Sequence, residues 1–106
     1  MVAAESARVK IELTARAVRD AERRAAWWRR ERPAAPQLFE DELRVALDLL
    51  RAEPEAGSTY PSRYGRPYRR LLLSRSRHHV YYRVVAPDRL VVIAIWNAVA
   101  RRGPAL

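Results

Sequence analysis

The spacing of apolar residues changes once along this chain, from the steps of a helix to the alternation of a strand. Between residues 15 and 53 the apolar side chains recur every three or four positions, as Phe39, Leu43 and Leu47 do. From residue 68 to residue 97 the period is close to two. Two amphipathic helices can cover one face of a sheet, so the pattern predicts an α+β fold with two layers.

Residues 8–13 alternate polar and apolar side chains and predict an N-terminal strand with Val9 among its inward residues. Thr14 is placed to cap the first helix, which Pro33 should end. The apolar face of this helix is predicted to comprise Val18, Ala21, Ala25 and Trp28. Residues 1–7, before the strand, are expected to form a loose leader.

Pro36 is expected in the first turn of a second helix that closes at Glu53-Pro54, so the two helices form an antiparallel hairpin. Residues 55–67 contain Gly57, Gly65 and Pro61 and are expected to form a loop. Strands are then predicted at residues 68–74, 78–86 and 90–97. Their short turns favour a three-stranded antiparallel meander, with the N-terminal strand joining at an edge and the last strand inside the sheet because it is apolar on both faces. Residues 98–106 are expected to be a short basic tail of this single domain, residues 1–106.

The net charge of +9 is carried almost entirely by arginine, because Lys10 is the only lysine. A surface rich in arginine suits nucleic acid or an acidic protein. The absence of cysteine excludes disulfides and cysteine-based metal sites. The longest apolar run, residues 90–96, is far below the roughly 18 residues that span a bilayer, and no signal peptide is visible, so we expect a cytoplasmic protein without membrane contact.

Alternation divides the predicted meander into two faces. The set containing Val80 and Tyr82 is the more apolar and is expected to pack against the helices. The helix-free face is then predicted to carry Arg70, His79, Tyr81 and Arg83. An error of one residue in the register would reverse this assignment.

These four residues allow two interpretations. Arginine neutralises phosphate, histidine moves protons near neutral pH, and tyrosine stacks on bases, so together they could support metal-free RNA cleavage. The alternative, which we favour, is a solvated face or a groove for a partner protein. His78 and His79 are adjacent in a strand and point to opposite faces, so they predict no metal site, and no motif for a cofactor is present.

Trp27 and Trp28 are adjacent in a helix and therefore diverge by about 100°. Trp28 is expected to pack in the core. Trp27 is left as a candidate for a partner contact, and Trp96 is expected to pack within the sheet.

Several segments, in their order and spacing, resemble the RelE/ParE superfamily of bacterial toxins, and the similarity covers nearly the whole chain. The matching segments are residues 9–17 (VKIELTARA), 27–28 (WW), 54–57 (PEAG), 69–71 (RRL), 79–84 (HVYYRV) and 92–96 (VIAIW), with Phe39 early in the second helix. The resemblance implies a toxin of a type II toxin–antitoxin pair, of the kind called plasmid stabilisation proteins. It further implies neutralisation by a cognate antitoxin.

Members of this superfamily act in two ways, and the resemblance leaves both open. ParE-like members poison DNA gyrase, whereas RelE-like members cleave messenger RNA on the ribosome. By position, Arg70 matches a basic residue of the RelE-like site, His79 stands where those nucleases often carry arginine, and the late arginine falls at Arg101 or Arg102. The C-terminal catalytic tyrosine has no counterpart here, which favours the ParE-like reading.

We therefore expect a ParE-like toxin that inhibits growth by binding and uses no cofactor. Its candidate partner-binding residues are Arg70, Arg83, Arg101, Arg102 and Trp27. A RelE-like endoribonuclease is the alternative, with catalytic candidates Arg70, His79, Tyr81, Arg83 and Arg101. It predicts that the first four converge within about 10 Å on the helix-free face. An inactive family member or a nucleic-acid-binding module is a third possibility, and a homodimer or a toxin–antitoxin hetero-oligomer is compatible with each toxin hypothesis.

Overall fold

The computed structural model describes residues 8–62, 65 and 67–106, so the expected leader at residues 1–7 lies outside the described residues. The order of elements confirms the predicted α+β class. The elements are β1 (Lys10–Leu13), α1 (Ala15–Glu31), α2 (Leu38–Ala52), β2 (Ser58–Tyr60), β3 (Tyr68–Leu73), β4 (His78–Ala86) and β5 (Arg89–Asn97).

Helix α1 begins where the sequence predicts, because the Thr14 side chain accepts a hydrogen bond from the Ala17 backbone N–H at 3.1 Å. The same hydroxyl donates to the carbonyl of Ile93 at 3.0 Å and so joins the helix start to β5. Ala25 is buried and Ala21 and Trp28 pack against the core, as expected. The prediction for Val18 is wrong, since Val18 is exposed and Ala17 takes the buried position instead.

Helix α2 begins at Leu38, two residues after Pro36, so the expectation that Pro36 opens the helix is wrong. The chain makes turns after α1, with the N–H of Ala35 bonded to the carbonyl of Arg32 at 3.0 Å, and these turns include Pro36. The helix ends at Ala52, just before Glu53-Pro54, as predicted. Its apolar face buries Phe39 completely.

The strands form one five-stranded sheet in the order β1-β5-β4-β3-β2. Strand β1 joins at an edge, parallel to β5, and β5 is flanked on both sides, as the sequence predicts. The remaining pairs are antiparallel. Strand β2 is a correction, because it lies in the region that was expected to be a loop and makes the meander four-stranded.

Buried contacts around Gly57 explain how β2 reaches the sheet. The Gly57 N–H donates to the buried Tyr82 hydroxyl at 2.9 Å, and the Arg69 guanidinium donates to the Gly57 carbonyl at 2.7 Å. A β-carbon at Gly57 would come within 2.7 Å of the Arg70 carbonyl oxygen. Only a residue without a side chain allows this approach, which aligns Ser58 with Arg70.

The two helices cover one face of the sheet, and the core lies between the layers. Leu73, Val80 and Tyr82 from the sheet meet Phe39 and Leu50 from α2 in one buried cluster. The predicted register is therefore confirmed, and the alternate residues of each strand lie on the face without helices.

Candidate partner-binding surface

The face of the sheet without helices, here called the open face, carries a dense group of aromatic and basic residues. It comprises Tyr60, Tyr68, Arg70, Leu72, His79, Tyr81, Arg83 and Trp96. Cross-strand pairing sets their neighbours, since Arg70 lies opposite Tyr81 and His79 lies between Leu72 and Trp96. The four residues that the sequence placed on this face are all there.

Three of the four predicted residues are joined by ring contacts that involve Tyr60 or Tyr81. The Arg70 guanidinium lies 5.0 Å from the centre of the Tyr60 ring, and the Tyr60 and Tyr81 rings meet edge to face at 4.9 Å. The His79 and Tyr81 rings are 5.9 Å apart. Arg70, His79 and Tyr81 therefore form one cluster, and Tyr60 is a member that the sequence did not reveal, because β2 carries no clear strand signal.

Arg83 lies further along β4, beyond Tyr81, and contacts a different ring. Its guanidinium is 4.1 Å from the centre of the Tyr68 ring. Each half-buried arginine of the open face thus lies over a tyrosine, an arrangement that limits side-chain freedom while the charge is kept.

The environment of His79 keeps its imidazole neutral. Burial, and after it the charge of Arg70, lowers the pKa of His79 from its ordinary value. A neutral imidazole at neutral pH can accept a proton or a hydrogen bond, but it adds no positive charge to the surface.

The C-terminal tail lies across part of the open face, a position that the sequence did not indicate. The Trp96 indole N–H donates to the Arg102 carbonyl at 2.7 Å, and the Arg16 guanidinium donates to the Ala105 carbonyl at 3.4 Å. Gly103 passes so close to Tyr60 that a β-carbon there would clash with the tyrosine hydroxyl. Pro104 is buried, so the tail is packed at this residue, while Arg102, Gly103 and Ala105 are exposed.

The tail determines what the open face can contact. Tyr81 is only 1% exposed, and the Gly103 backbone passes close to its hydroxyl. A base cannot stack on a ring in that position unless the tail moves. Arg101 and Arg102 are exposed and bring two further charges to the rim of the same face.

Trp27 is not part of this surface. It is 37% exposed near the end of α1, with its ring edge to face with Trp28 at 5.7 Å and the Arg32 guanidinium 5.1 Å from its centre. The structure thus separates Trp27 from the other four partner-binding candidates. Trp28 packs against the core, as the sequence predicts.

Over residues 8–62, 65 and 67–106, no three histidine, cysteine or acidic side chains are grouped so that they could hold a metal ion. Neither helix in this part of the chain is long and apolar enough to cross a bilayer.

The comparison with known families establishes the family to which the chain belongs. Residues 11–99 match the model of the ParE toxin of type II toxin–antitoxin systems, parDE. The chain belongs to the ParE toxin family. The resemblance inferred from segments such as residues 9–17 and 79–84 is thereby confirmed.

A solved structure supports the same fold. The chain is similar to one described as the chromosomal ParDE TA system from P. aeruginosa, with a TM-score of 0.68 and 17% sequence identity. The match covers 84% of this chain and 95% of that chain. No curated protein sequence matches the present chain. At this low sequence identity the structural similarity shows the fold alone. The assignment to the toxin family rests on the family model.

Proposed function

We propose that this ParE-family toxin inhibits growth by binding an intracellular target, and that an acidic antitoxin neutralises it by covering the open face. The observation that carries the proposal is the pair of arginines on that face. Arg70 and Arg83 lie over tyrosine rings, so a partner meets positive charges whose positions are already restricted. Arg101 and Arg102 add charge at the rim, and the net charge of +9 favours an acidic partner.

The same geometry favours binding over RNA cleavage. A ribonuclease on this face would need Tyr81 or His79 within reach of a substrate, and Tyr81 is almost fully enclosed. Residues 98–106 also contain no tyrosine that could take part in catalysis. The neutral His79 beside Arg70 is the feature that keeps cleavage as the competing hypothesis.

Controlled expression in a bacterial host, with two independent readouts, tests the target. If the toxin acts on DNA gyrase, expression stops growth, induces the SOS response and changes plasmid supercoiling, while transcripts stay intact. Truncated messenger RNA with unchanged supercoiling would overturn the binding proposal in favour of a nuclease. Unimpaired growth at a verified protein level would overturn the proposal that the chain is an active toxin.

Variants of equal charge test the surface. Arg70→Gln with Arg83→Gln removes two positive charges from the open face, and Arg19→Gln with Arg23→Gln removes two from the exposed side of α1. The first pair is expected to weaken antitoxin binding at least tenfold, since charge-assisted hydrogen bonds contribute about 1.5–3 kcal/mol each. The second pair is the control, and an equal loss in both would show that only net charge matters.

A further inference from the structure

A basic pocket lies away from the open face, between the C-terminal end of α1 and the turn that joins β3 to β4. We call it the turn pocket, and its volume is about 390 Å³. Four arginines contribute to its lining, Arg24 and Arg32 from the helix side and Arg75 and Arg77 from the turn. We propose that the turn pocket binds a carboxylate side chain from an acidic segment of a partner protein.

The charges of the turn pocket are not neutralised by the chain. Over residues 8–62, 65 and 67–106, none of its arginines forms an ion pair with a carboxylate, whereas several arginines elsewhere do. Arg32 lies 5.1 Å from the Trp27 ring centre and 5.9 Å from that of Trp28. Like charges that converge without side-chain ion pairs repel one another, and an anionic ligand lowers that repulsion.

Two buried polar atoms at the turn pocket have no hydrogen-bond partner, which gives an independent indication of a ligand. They are the Trp28 indole nitrogen and the Ser76 hydroxyl oxygen. Ser76 is 6% exposed. Buried polar groups in proteins are nearly always paired, so two together in one pocket call for an explanation.

The chemistry of these two groups selects the kind of ligand. An indole nitrogen can only donate, and a hydroxyl can donate as well. A carboxylate offers only acceptors and matches the forked arginine donors in the same pocket. Both atoms are covered in the free protein, so a ligand reaches them only when neighbouring side chains move, and Arg32, which lies over the indole rings, is one of these neighbours.

The neighbouring Glu42 does not fill this role. Its two carboxylate oxygens accept the backbone N–H groups of Arg75 and Ser76 at 2.7 and 2.8 Å. Burial, and after it the charge of Arg24, lowers the pKa of His78, while a hydrogen bond to the Ser76 backbone and, after it, the charge of Glu42 act in the opposite direction. Glu42 therefore holds the turn against α2, and the side-chain donors of the pocket stay available.

The surroundings favour a protein over a nucleic acid as the source of the anion. Trp27 and Val99 are exposed apolar residues that line the same pocket, and they suit the apolar neighbours of an acidic side chain in a peptide. The arginines converge on one small pocket rather than following a line along which successive phosphates could be contacted.

The test follows the Trp28 indole N–H signal by nuclear magnetic resonance in the purified full chain. Tryptophan-to-phenylalanine variants assign the three indole signals. Hexaglutamate is the probe, hexaglutamine is the uncharged control, and a thymidine octamer tests nucleic acid. Hexaglutamate is expected to shift the Trp28 signal saturably and leave that of Trp96 in place, because the Trp96 indole already donates to the Arg102 carbonyl.

Two charge-matched double variants decide whether the response belongs to the pocket. Arg24→Gln with Arg75→Gln should raise the dissociation constant for hexaglutamate at least about tenfold, as expected for the loss of charge-assisted contacts. Arg19→Gln with Arg23→Gln, on exposed positions of the same helix, should leave it within about twofold. Unchanged indole spectra of the free variants show that the fold is kept.

Three results would overturn the proposal. The first is a Trp28 signal that hexaglutamate does not move. The second is an equal loss of affinity in both double variants, which would reveal attraction by net charge alone. The third is a response to the thymidine octamer without one to hexaglutamate, which would assign the pocket to nucleic acid. None of these depends on whether expression of the chain stops growth.

Discussion

Replacing Gly57 by alanine is expected to destabilise the protein, although the same change often stabilises one. Where the backbone conformation suits any residue, alanine in place of glycine gains about 0.4–1 kcal/mol by restricting the unfolded chain. Gly57 is not among the described residues with positive φ, so that gain applies. The added methyl group, however, would lie 2.7 Å from both the Arg70 carbonyl oxygen and the Tyr82 hydroxyl.

The magnitude follows from these two contacts. Overpacking in a dense region costs about 1–3 kcal/mol, and the Arg70 carbonyl belongs to the β2–β3 pairing and cannot move freely. A shift of Gly57 also weakens its 2.9 Å hydrogen bond to Tyr82, a loss of about 1 kcal/mol. After the gain in the unfolded state is subtracted, Gly57→Ala should lower the free energy of unfolding by about 1–3.5 kcal/mol.

Urea unfolding monitored by circular dichroism measures this difference, with Ser58→Ala as an exposed neighbouring control expected within about 0.5 kcal/mol of the wild type. Tyr82→Phe removes one of the two close contacts and leaves the other. The double variant, Gly57→Ala with Tyr82→Phe, should therefore lose less free energy of unfolding than the two single variants together, by about 1 kcal/mol. A Gly57→Ala protein as stable as the wild type would refute the steric explanation, and strict additivity would refute the part assigned to Tyr82.

Three further predictions concern the acid response, the tail and the helix cap. Because the pKa of His79 is lowered in the folded state, the unfolded chain takes up the proton first as the pH falls below about 6.5. The free energy of unfolding should thus decrease on acidification from pH 7.5, and less so in His79→Gln, as urea titrations at each pH would reveal. Trp96→Phe removes the hydrogen bond to the Arg102 carbonyl and should speed amide exchange in the tail roughly 2- to 12-fold, with Trp27→Phe unchanged as the control. Thr14→Ala should cost about 1–2 kcal/mol in urea unfolding, whereas Thr14→Ser, which keeps the hydroxyl, should cost much less.

The sequence predicted the two layers of the fold and the two faces of the sheet, because both depend on burial. Burial of one face makes apolar residues recur at a regular spacing along the sequence. The stripe that includes Phe39 and Leu50 and the alternation around Val80 are each explained by one buried face. The position of β1 at an edge also followed, since the hairpin separates it from the meander. Val18 was misplaced because Ala17, one residue earlier, meets the core with a smaller side chain.

Strand β2 was not predicted because its formation depends on tertiary contacts. Its three residues, Ser58–Tyr60, lie in a segment rich in glycine, proline and serine, which is typical of a loop. Pairing to β3 depends on the contact of Gly57 with the Arg70 carbonyl and with Tyr82, far away in sequence. Local structural preferences of the residues carry no information about such a contact. Because β2 was not predicted, the role of Tyr60 in the site was missed as well.

The tail was the other omission, and it changes how the candidate site works. The sequence predicted a short basic tail at residues 98–106, but its position depends on tertiary contacts such as those with the Trp96 indole and the Tyr60 ring. The hydrogen bond from the Trp96 indole contributes about 0.5–1.5 kcal/mol, and the buried Pro104 adds apolar contact, so an antitoxin that binds the open face would have to offset both to displace the tail. Arg83 lies over the Tyr68 ring, whereas the Tyr60 ring under Arg70 also contacts the tail at Gly103. A partner would therefore be attracted first by the arginines and would reach Tyr81 only after the tail has moved.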